Sequence, residues 1–341
     1  MWLQERIRQP TLGPQNPIRK NAVMTKNQTP VGQANQLIAL PHYTLITVQG
    51  EDSEKFLQGQ CTCDFTRLTT HEWLLGAHCN AQGRMHSSFY SASLSDGSIA
   101  LRLHTSIKDS ALAALSKYIV FSKADIKATE VAVYGLIVSE DTKIIPGTDA
   151  ALPTLGHFST PIEGLTILRL DEQRCELWIN DKRLAAIIAA QCENGLSAKP
   201  QAWAIQNIQR GIAEVRVESA EKLIPQDLNF QLRNGIAFQK GCYTGQEIIA
   251  RMHYKATLKK HLYRGTLKLP DDATPPAYGN SIMLTGASRS SGFVVDAGHL
   301  GDGHYEFLAL VKDETTASEN VILEVPSQPK ITWLPLPYAI P

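Results

Sequence analysis

Apolar positions along this chain change their period several times, and each change marks an element. Residues 43–48 form a run rich in Thr, Ile and Val, the composition of a half-buried strand. Gly50-Glu51-Asp52-Ser53 breaks that run and places acids where the positive end of a helix begins. A helix with Phe56 and Leu57 on its apolar side is expected there, stopping near Gly59. Residues 71–79 and 85–94 read as two strands around the turn Asn80-Ala81-Gln82-Gly83. Leu112, Leu115 and Ile119 return to helical spacing, and 131–138 to a short strand. After a stretch punctuated by Pro146, Pro153 and Pro161, residues 165–170 and 176–179 alternate like strands, while Leu184, Ile187 and Ile188 mark a helix. Pro200 opens a further helix, in the position where its missing N–H costs nothing, with Ile205, Ile208 and Ile212 on the apolar face.

Beyond Arg251 the pattern changes for the rest of the chain. Tyr263, Gly265, Leu267 and Leu269 alternate with Arg264, Thr266 and Lys268. More short strand candidates follow at 281–284, 292–295, 305–311 and 321–325, separated by Gly, Asp and Pro turns. Strands this short and regular predict a small barrel or sandwich with its boundary near residue 255. At the other end, residues 1–36 show no apolar period and contain Pro10, Pro14, Pro17 and Pro30, which disfavour an amphipathic targeting helix. They are expected to be a disordered tail, with Met24 an alternative start.

Length and composition narrow the classes. A chain of 341 residues with 43% hydrophobic content can build two or three cores without disulfides. Lys plus Arg and Asp plus Glu both total 33, so the basic excess of a nucleic-acid binder and the long-range attraction to an anionic membrane are both missing. Cysteines stand at 61, 63, 79, 175, 192 and 242, with no secretory h-region at the start and no apolar run near the ~20 residues of a membrane span. The expectation is a cytoplasmic protein with reduced thiols.

The chemistry concentrates in residues 238–251. Gly241 and Gly245 bracket Cys242 and Tyr243 in a tight turn ahead of a helix-forming run, with Lys240 two residues before the thiol. A helix N-terminus and an ammonium both favour a thiolate, so Cys242 is expected to be more acidic than a free cysteine. Gln246 and Glu247 stand where free helix N–H groups need caps. Cys61-Thr62-Cys63 with His71, His78 and Cys79 lacks the paired Cys-x-x-Cys spacing of a structural zinc site, and no metal is expected. Cys242, a single cysteine, cannot by itself hold a metal cluster, which takes several thiolates.

Lys240-Gly241-Cys242-Tyr243-Thr244-Gly245-Gln246-Glu247 resembles the Lys-Gly-Cys-Tyr-x-Gly-Gln-Glu signature of the YgfZ family, folate-binding proteins that assist iron–sulfur enzymes. Residues 50–60 with Asp64, residues 77–85, residues 117–123 and the ending Pro335-Leu336-Pro337-Tyr338 are similar to further blocks of that family. The resemblance implies a relative of the glycine-cleavage T-protein: an α+β ring of two interleaved units, here residues 37–254, and a C-terminal β-barrel, residues 255–341, with folate in the central hole. It implies Cys242 and Lys240 as the reactive pair. Tetrahydrofolate would meet Asn80, Arg84, Lys117, Tyr243, Asp227, Asn229 and Arg251, and Trp203 is expected in the core. Implied partners are iron–sulfur client enzymes such as tRNA-modifying radical enzymes, served by a monomer without direct nucleic-acid or membrane contact. The T-protein carries an aspartate pair where this chain has Ser87 and Ser88, so aminomethyl transfer is not expected. A folate-dependent aminomethyltransferase and a single-cysteine thiol redox protein are the alternatives.

Overall fold

A computed structural model of the chain describes residues 35–270 and 272–341. The tail expected over residues 1–36 and the alternative start at Met24 lie outside the described residues, apart from Asn35 and Gln36, and Gln36 already opens a strand.

Three sheets carry the fold. The first is antiparallel and five-stranded, in the order Leu74–Cys79, Met85–Ser93, Ile99–His104, Tyr43–Gln49, Asp125–Ala128. The helix Lys108–Ile119 lies on it and buries Ala111, Ala114, Leu115 and Ile119, one face at helical spacing. The second sheet has six strands, in the order Leu196–Ser197, Gln36–Ala39, Ala132–Ile137, Arg174–Ile179, Leu165–Arg169, Phe158–Ile162. Its strand Gln36–Ala39 comes from before the first sheet and its other strands from after it, so the two α+β units are interleaved along the chain. Trp203, from the helix Gln201–Gln209, is fully buried and lies over Gly135, where an added Cβ would stand 2.4 Å from the indole.

The third sheet runs Val321–Leu323, Ser281–Leu284, Gly292–Gly301, His304–Lys312, Lys260–Lys268, Thr332–Leu334. Register shifts at Val294/Asp296 and His299/Gly301 bend its long strand. The sheet curls until its edges meet: Leu323 N donates to Pro329 O at 3.1 Å and Ile331 N to Val321 O at 2.8 Å. Closure of this kind removes the exposed edges on which other chains could pair.

Two devices join the sheets. Asn229 sits in the left-handed region (φ 57°) and is fully buried. Its amide donates to Leu262 O at 2.9 Å and its oxygen accepts from Leu262 N at 3.2 Å, as a neighbouring strand would. At the junction of the three sheets Arg102, 1% exposed, pairs with Glu176 at 3.1 Å and with Glu214, and lies between the rings of Tyr43 and Tyr90 at 4.0 and 4.2 Å. Arg216, two residues on from Glu214, extends this chain of charges to Asp296 of the third sheet at 2.6 Å.

Several expectations shift. The strand placed at 71–79 begins only at Leu74, because Phe65–Thr70 winds into a 3-10 turn and His71 takes φ 59° to leave it. The helix Lys182–Ala190 buries Ala185, Ile188 and Ala189, while Ile187, assigned to its apolar face, is 51% exposed. Ile99–His104, Asp125–Ala128, Phe158–Ile162 and Thr332–Leu334 are strands that the pattern did not single out. Among the described residues no helix is long and apolar enough to cross a membrane.

Candidate functional site

Cys242 is exposed, on a loop tied down on both sides of it. Downstream, Thr244 N donates to Gly59 O at 3.2 Å and its hydroxyl to Gln60 Oε1 at 3.2 Å. Gly245, at φ 83°, passes so close to the turn after Leu74–Cys79 that a Cβ would stand 2.5 Å from Asn80 O. Tyr243 faces inward and is buried, and burial raises its hydroxyl pKa. The loop thus packs its tyrosine and presents its cysteine.

Lys240 does something other than expected. Its ammonium donates to Cys61 O at 2.9 Å and Cys63 O at 2.6 Å, 5.2 Å from the Tyr243 ring centre. It fastens the upstream side of the loop to the segment after the helix Ser53–Gln60. Burial pulls its own pKa down. The helix Gln246–Tyr254 begins four residues past Cys242, capped by Gly245 with no side-chain bond, so Gln246 and Glu247 do not cap it. Replacing Lys240 by Met should leave two carbonyls without a charged donor and cost roughly 1.5–3 kcal/mol. Denaturant unfolding would show this as a lower midpoint at unchanged slope; an unchanged midpoint would mean that the lysine is no tie.

Below the loop lie Cys61, Cys63 and Cys79, all buried free thiols. Burial pushes Cys63 up to about 12 and raises the other two as well, so all three are neutral packing groups. His78 beside them is buried, and burial with the nearby His86 pushes it down to about 3, which keeps it uncharged. Among the described residues no three His, Cys, Asp or Glu side chains are placed to hold a metal ion.

Three segments pack around the helix Gln246–Tyr254. In the turn 80–84, Asn80 Oδ1 accepts from Gln82 N and Arg84 N at 3.0 Å each, and Gly83 lies against Ile248 and Ile249. Gln226 Nε2 donates to Ile249 O at 2.8 Å and so brings in the 3-10 turn Pro225–Leu228 with Asp227. Asp227 Oδ2 accepts from Ile224 N at 2.9 Å; burial raises its pKa, against Arg84 nearby. Arg84 is exposed and donates to the Lys222 carbonyl. Arg251 stands exposed in the last turn of the helix, where Phe238 stacks on His253 at 3.8 Å beside Tyr254. Asn80, Arg84, Asp227, Tyr243 and Arg251 are thus gathered around one helix. Asn229 is fully buried with its amide spent on Leu262, which makes it a joint between sheets. Lys117 is on the helix Lys108–Ile119, which packs on the first sheet.

The segment after Lys117 nevertheless belongs to the same neighbourhood. Lys123 N donates to Asp52 Oδ2 at 2.8 Å and its ammonium pairs with Glu51 at 3.1 Å, at the N-terminal end of the helix Ser53–Gln60. The other end of that helix holds the Cys242 loop, one eight-residue helix away, about 12 Å. Phe121 is 88% exposed there, with Tyr118 and Val120 beside it.

The sequence reading missed the Arg102–Glu176–Glu214 junction. Its signal was a charge inside an apolar run, Arg102 in Ile99–His104 and Glu176 in Arg174–Ile179, since such charges are rarely buried without partners. Ser87 and Ser88 are both buried, and Ser88 Oγ accepts from Val215 N at 2.8 Å.

No family model matches the sequence. Among individual proteins, the chain is 30% identical over 330 residues to the tRNA-modifying protein YgfZ of Yersinia enterocolitica, covering 95% of this chain and 97% of that one. It is 31% identical over 316 residues to the protein of the same name from Sodalis glossinidius, covering 89% and 93%. Among solved structures, the glycine cleavage system aminomethyltransferase T of Bartonella henselae superposes with a TM-score of 0.70 at 14% identity, covering 90% of this chain and 87% of that one. That likeness is one of fold.

Proposed function

Because the chain belongs to the YgfZ family, we propose that it serves tRNA modification as a folate-binding accessory factor for iron–sulfur enzymes, with Cys242 as its working group. The observation that carries this reading is the convergence on one exposed cysteine. The segment at the end of Ser53–Gln60, the turn 80–84 and residues 240–251 hold a loop whose aromatic residue is buried and whose thiol is not. A cysteine kept for packing would be turned the other way. A thiol so presented can attack an electrophile or a disulfide, or hold a metal ion in transit. On this reading the protein works in the cytoplasm as a monomer meeting client enzymes, such as tRNA-modifying radical enzymes, without itself binding nucleic acid or membrane.

What supports tetrahydrofolate as the ligand is the set of polar and charged side chains around the helix Gln246–Tyr254. Its pterin edge offers an amino group and a ring N–H side by side, which one carboxylate can accept. Asp227 has one oxygen held by Ile224 N, while the other accepts no hydrogen bond from the described residues. Arg84 and Arg251 are the cations for the glutamate carboxylates, a pairing that arginine makes in two-toothed fashion. When bound, folate would supply a one-carbon carrier or its reduced ring. Calorimetry should show tetrahydrofolate binding that weakens at least about tenfold in Asp227→Asn and in Arg251→Ala; wild type without binding would remove folate from the proposal and leave the cysteine.

The aminomethyltransferase reading is the weaker one. With Ser87 and Ser88 in place of carboxylates, both buried and one bonded to the backbone, the positioned acid–base group is missing. Its loss costs about 10²–10⁴-fold. The expected result is no formation of methylene-tetrahydrofolate from an aminomethyl-lipoyl carrier; turnover at transferase rates would promote that reading.

A further inference from the structure

From the helix Gln246–Tyr254 into the third sheet the chain carries charge of one sign. Between Glu247 and Asp271 stand Arg251, Lys255, Lys259, Lys260, Arg264 and Lys268 and no acid, in a chain whose cations and anions balance at 33 each. Arg264 pairs with Glu306 at 2.8 Å. Arg251, Lys255, Lys259 and Lys260 are exposed, and among the described residues none of the four has a carboxylate partner. Lys259 and Lys260 line a groove of about 530 Å³ together with Lys312, Asp313 and Glu314. Resting on the folate reading above, we propose that this groove holds a γ-linked polyglutamyl tail, so that the protein selects folates with several glutamates over those with one.

The turn that carries Asp227 connects the helix to the groove. Gln226 fastens it to Ile249 O of the helix, and Asn229 fastens it to Leu262, two residues past Lys260. Burial raises the Asp227 pKa, while the Ile224 N–H, Arg84, Lys260 and His261 pull against that rise, so Lys260 lies near the carboxylate. A folate whose pterin edge meets Asp227 is therefore bound beside the groove. On the helix, Lys255 N donates to Arg251 O at 2.9 Å, which puts the two cations one turn apart on a single face. A γ-linked glutamyl residue adds two C–C bonds to the ~3.5 Å of an α-linked one and reaches about 6 Å. Four helical residues rise by the same ~6 Å, so successive carboxylates of the tail match that spacing.

A helix C-terminus favours cations, which accounts for Arg251 and Lys255 without a ligand. It does not account for Lys260 and Lys312, which are direct partners on antiparallel strands. Like charges placed opposite one another in a sheet are destabilising. Glu314, 3.7 Å from Lys312, offsets one of the two. The other acid of the groove is already engaged, since Asp313 Oδ1 lies 2.7 Å from His261 Nδ1 and accepts from the Tyr263 hydroxyl at 3.1 Å. Lys259 and Lys260 are left facing solvent without a counter-ion. A polyglutamyl tail supplies one carboxylate per residue on a flexible chain, and lysines can follow such a chain as mobile point charges.

The test is calorimetry on the full chain with tetrahydrofolate carrying one or five γ-linked glutamates. The pentaglutamate should bind at least about tenfold more tightly, since three or four exposed ion pairs each contribute a factor of about 1.5 to 5. That advantage should shrink as salt rises from about 0.05 M to about 0.5 M. Lys259→Ser combined with Lys312→Ser, both exposed changes, should bring the ratio of the two affinities close to one. Penta-γ-glutamate without the pterin should compete with the pentaglutamate folate, and an α-linked pentaglutamate peptide should compete more weakly. Equal binding of the two folates by wild type would overturn the inference and leave the folate reading standing. Binding of neither would remove the folate reading and the inference with it. A preference untouched by the double substitution, or an α-linked peptide that competes as well as the γ-linked one, would also overturn it.

Discussion

Arg102→Met should destabilise the protein by about 3–5 kcal/mol, well beyond what the loss of an exposed ion pair costs. The arginine and Glu176 are each 1% exposed, and the substitution leaves Glu176 and Glu214 buried without their counter-ion. Burial already raises the Glu176 pKa with Arg102 present, and the loss of the cation removes what opposes that rise. Since folded proteins are stable by only about 5–15 kcal/mol, the loss is a large share of the total and should lower Tm by roughly 10 °C. The pH dependence has a definite sign. In the variant the Glu176 carboxyl has a folded pKa above its unfolded one, so protonation stabilises the folded state, and this stabilisation is present at low pH and lost as pH rises. The deficit against wild type should therefore narrow on going from about pH 7 to about pH 5. Replacing Glu176 and Glu214 by Gln together with Arg102→Met should recover much of the loss. A variant within about 1 °C of wild type at neutral pH would mean that water reaches the junction.

Residue pattern and resemblance together anticipated most of what positions the site. The helix expected after Gly50 runs Ser53–Gln60, and the alternation after Arg251 became the curled C-terminal sheet, because in both places local preference and burial agree. Trp203 is a core residue, as expected. Where reading along the chain fell short, the determining contacts were distant in sequence. Lys240 looked like a neighbour of Cys242 because they are two residues apart, yet its partners are carbonyls 177 and 179 positions away. Asn229 looked like a ligand residue and instead completes a strand pairing with Leu262. The strands Ile99–His104 and Asp125–Ala128 were missed for different reasons. The first carries a buried arginine that interrupts its apolar run, and the second is an edge strand with little buried surface. Nothing local distinguishes Ile187 from Ile188; only packing on the second sheet turns one outward and the other inward.

The exposure of Cys242 makes the second large effect one of function without stability. Cys242→Ser changes an exposed sulfur, so Tm should stay within about 1 °C of wild type, as is usual for surface changes. The hydroxyl that replaces it is a far weaker nucleophile and metal ligand at neutral pH. If the thiol is the working group, its loss should be as severe as deletion of the whole chain. The most direct measurement is the content of those tRNA nucleosides whose modification depends on iron–sulfur radical enzymes, determined by mass spectrometry in a deletion strain supplied with wild type or with Cys242→Ser at equal protein level. Restoration by wild type and deletion-level content with Cys242→Ser is the predicted result. Full restoration by Cys242→Ser would contradict the account and return the loop to a structural role.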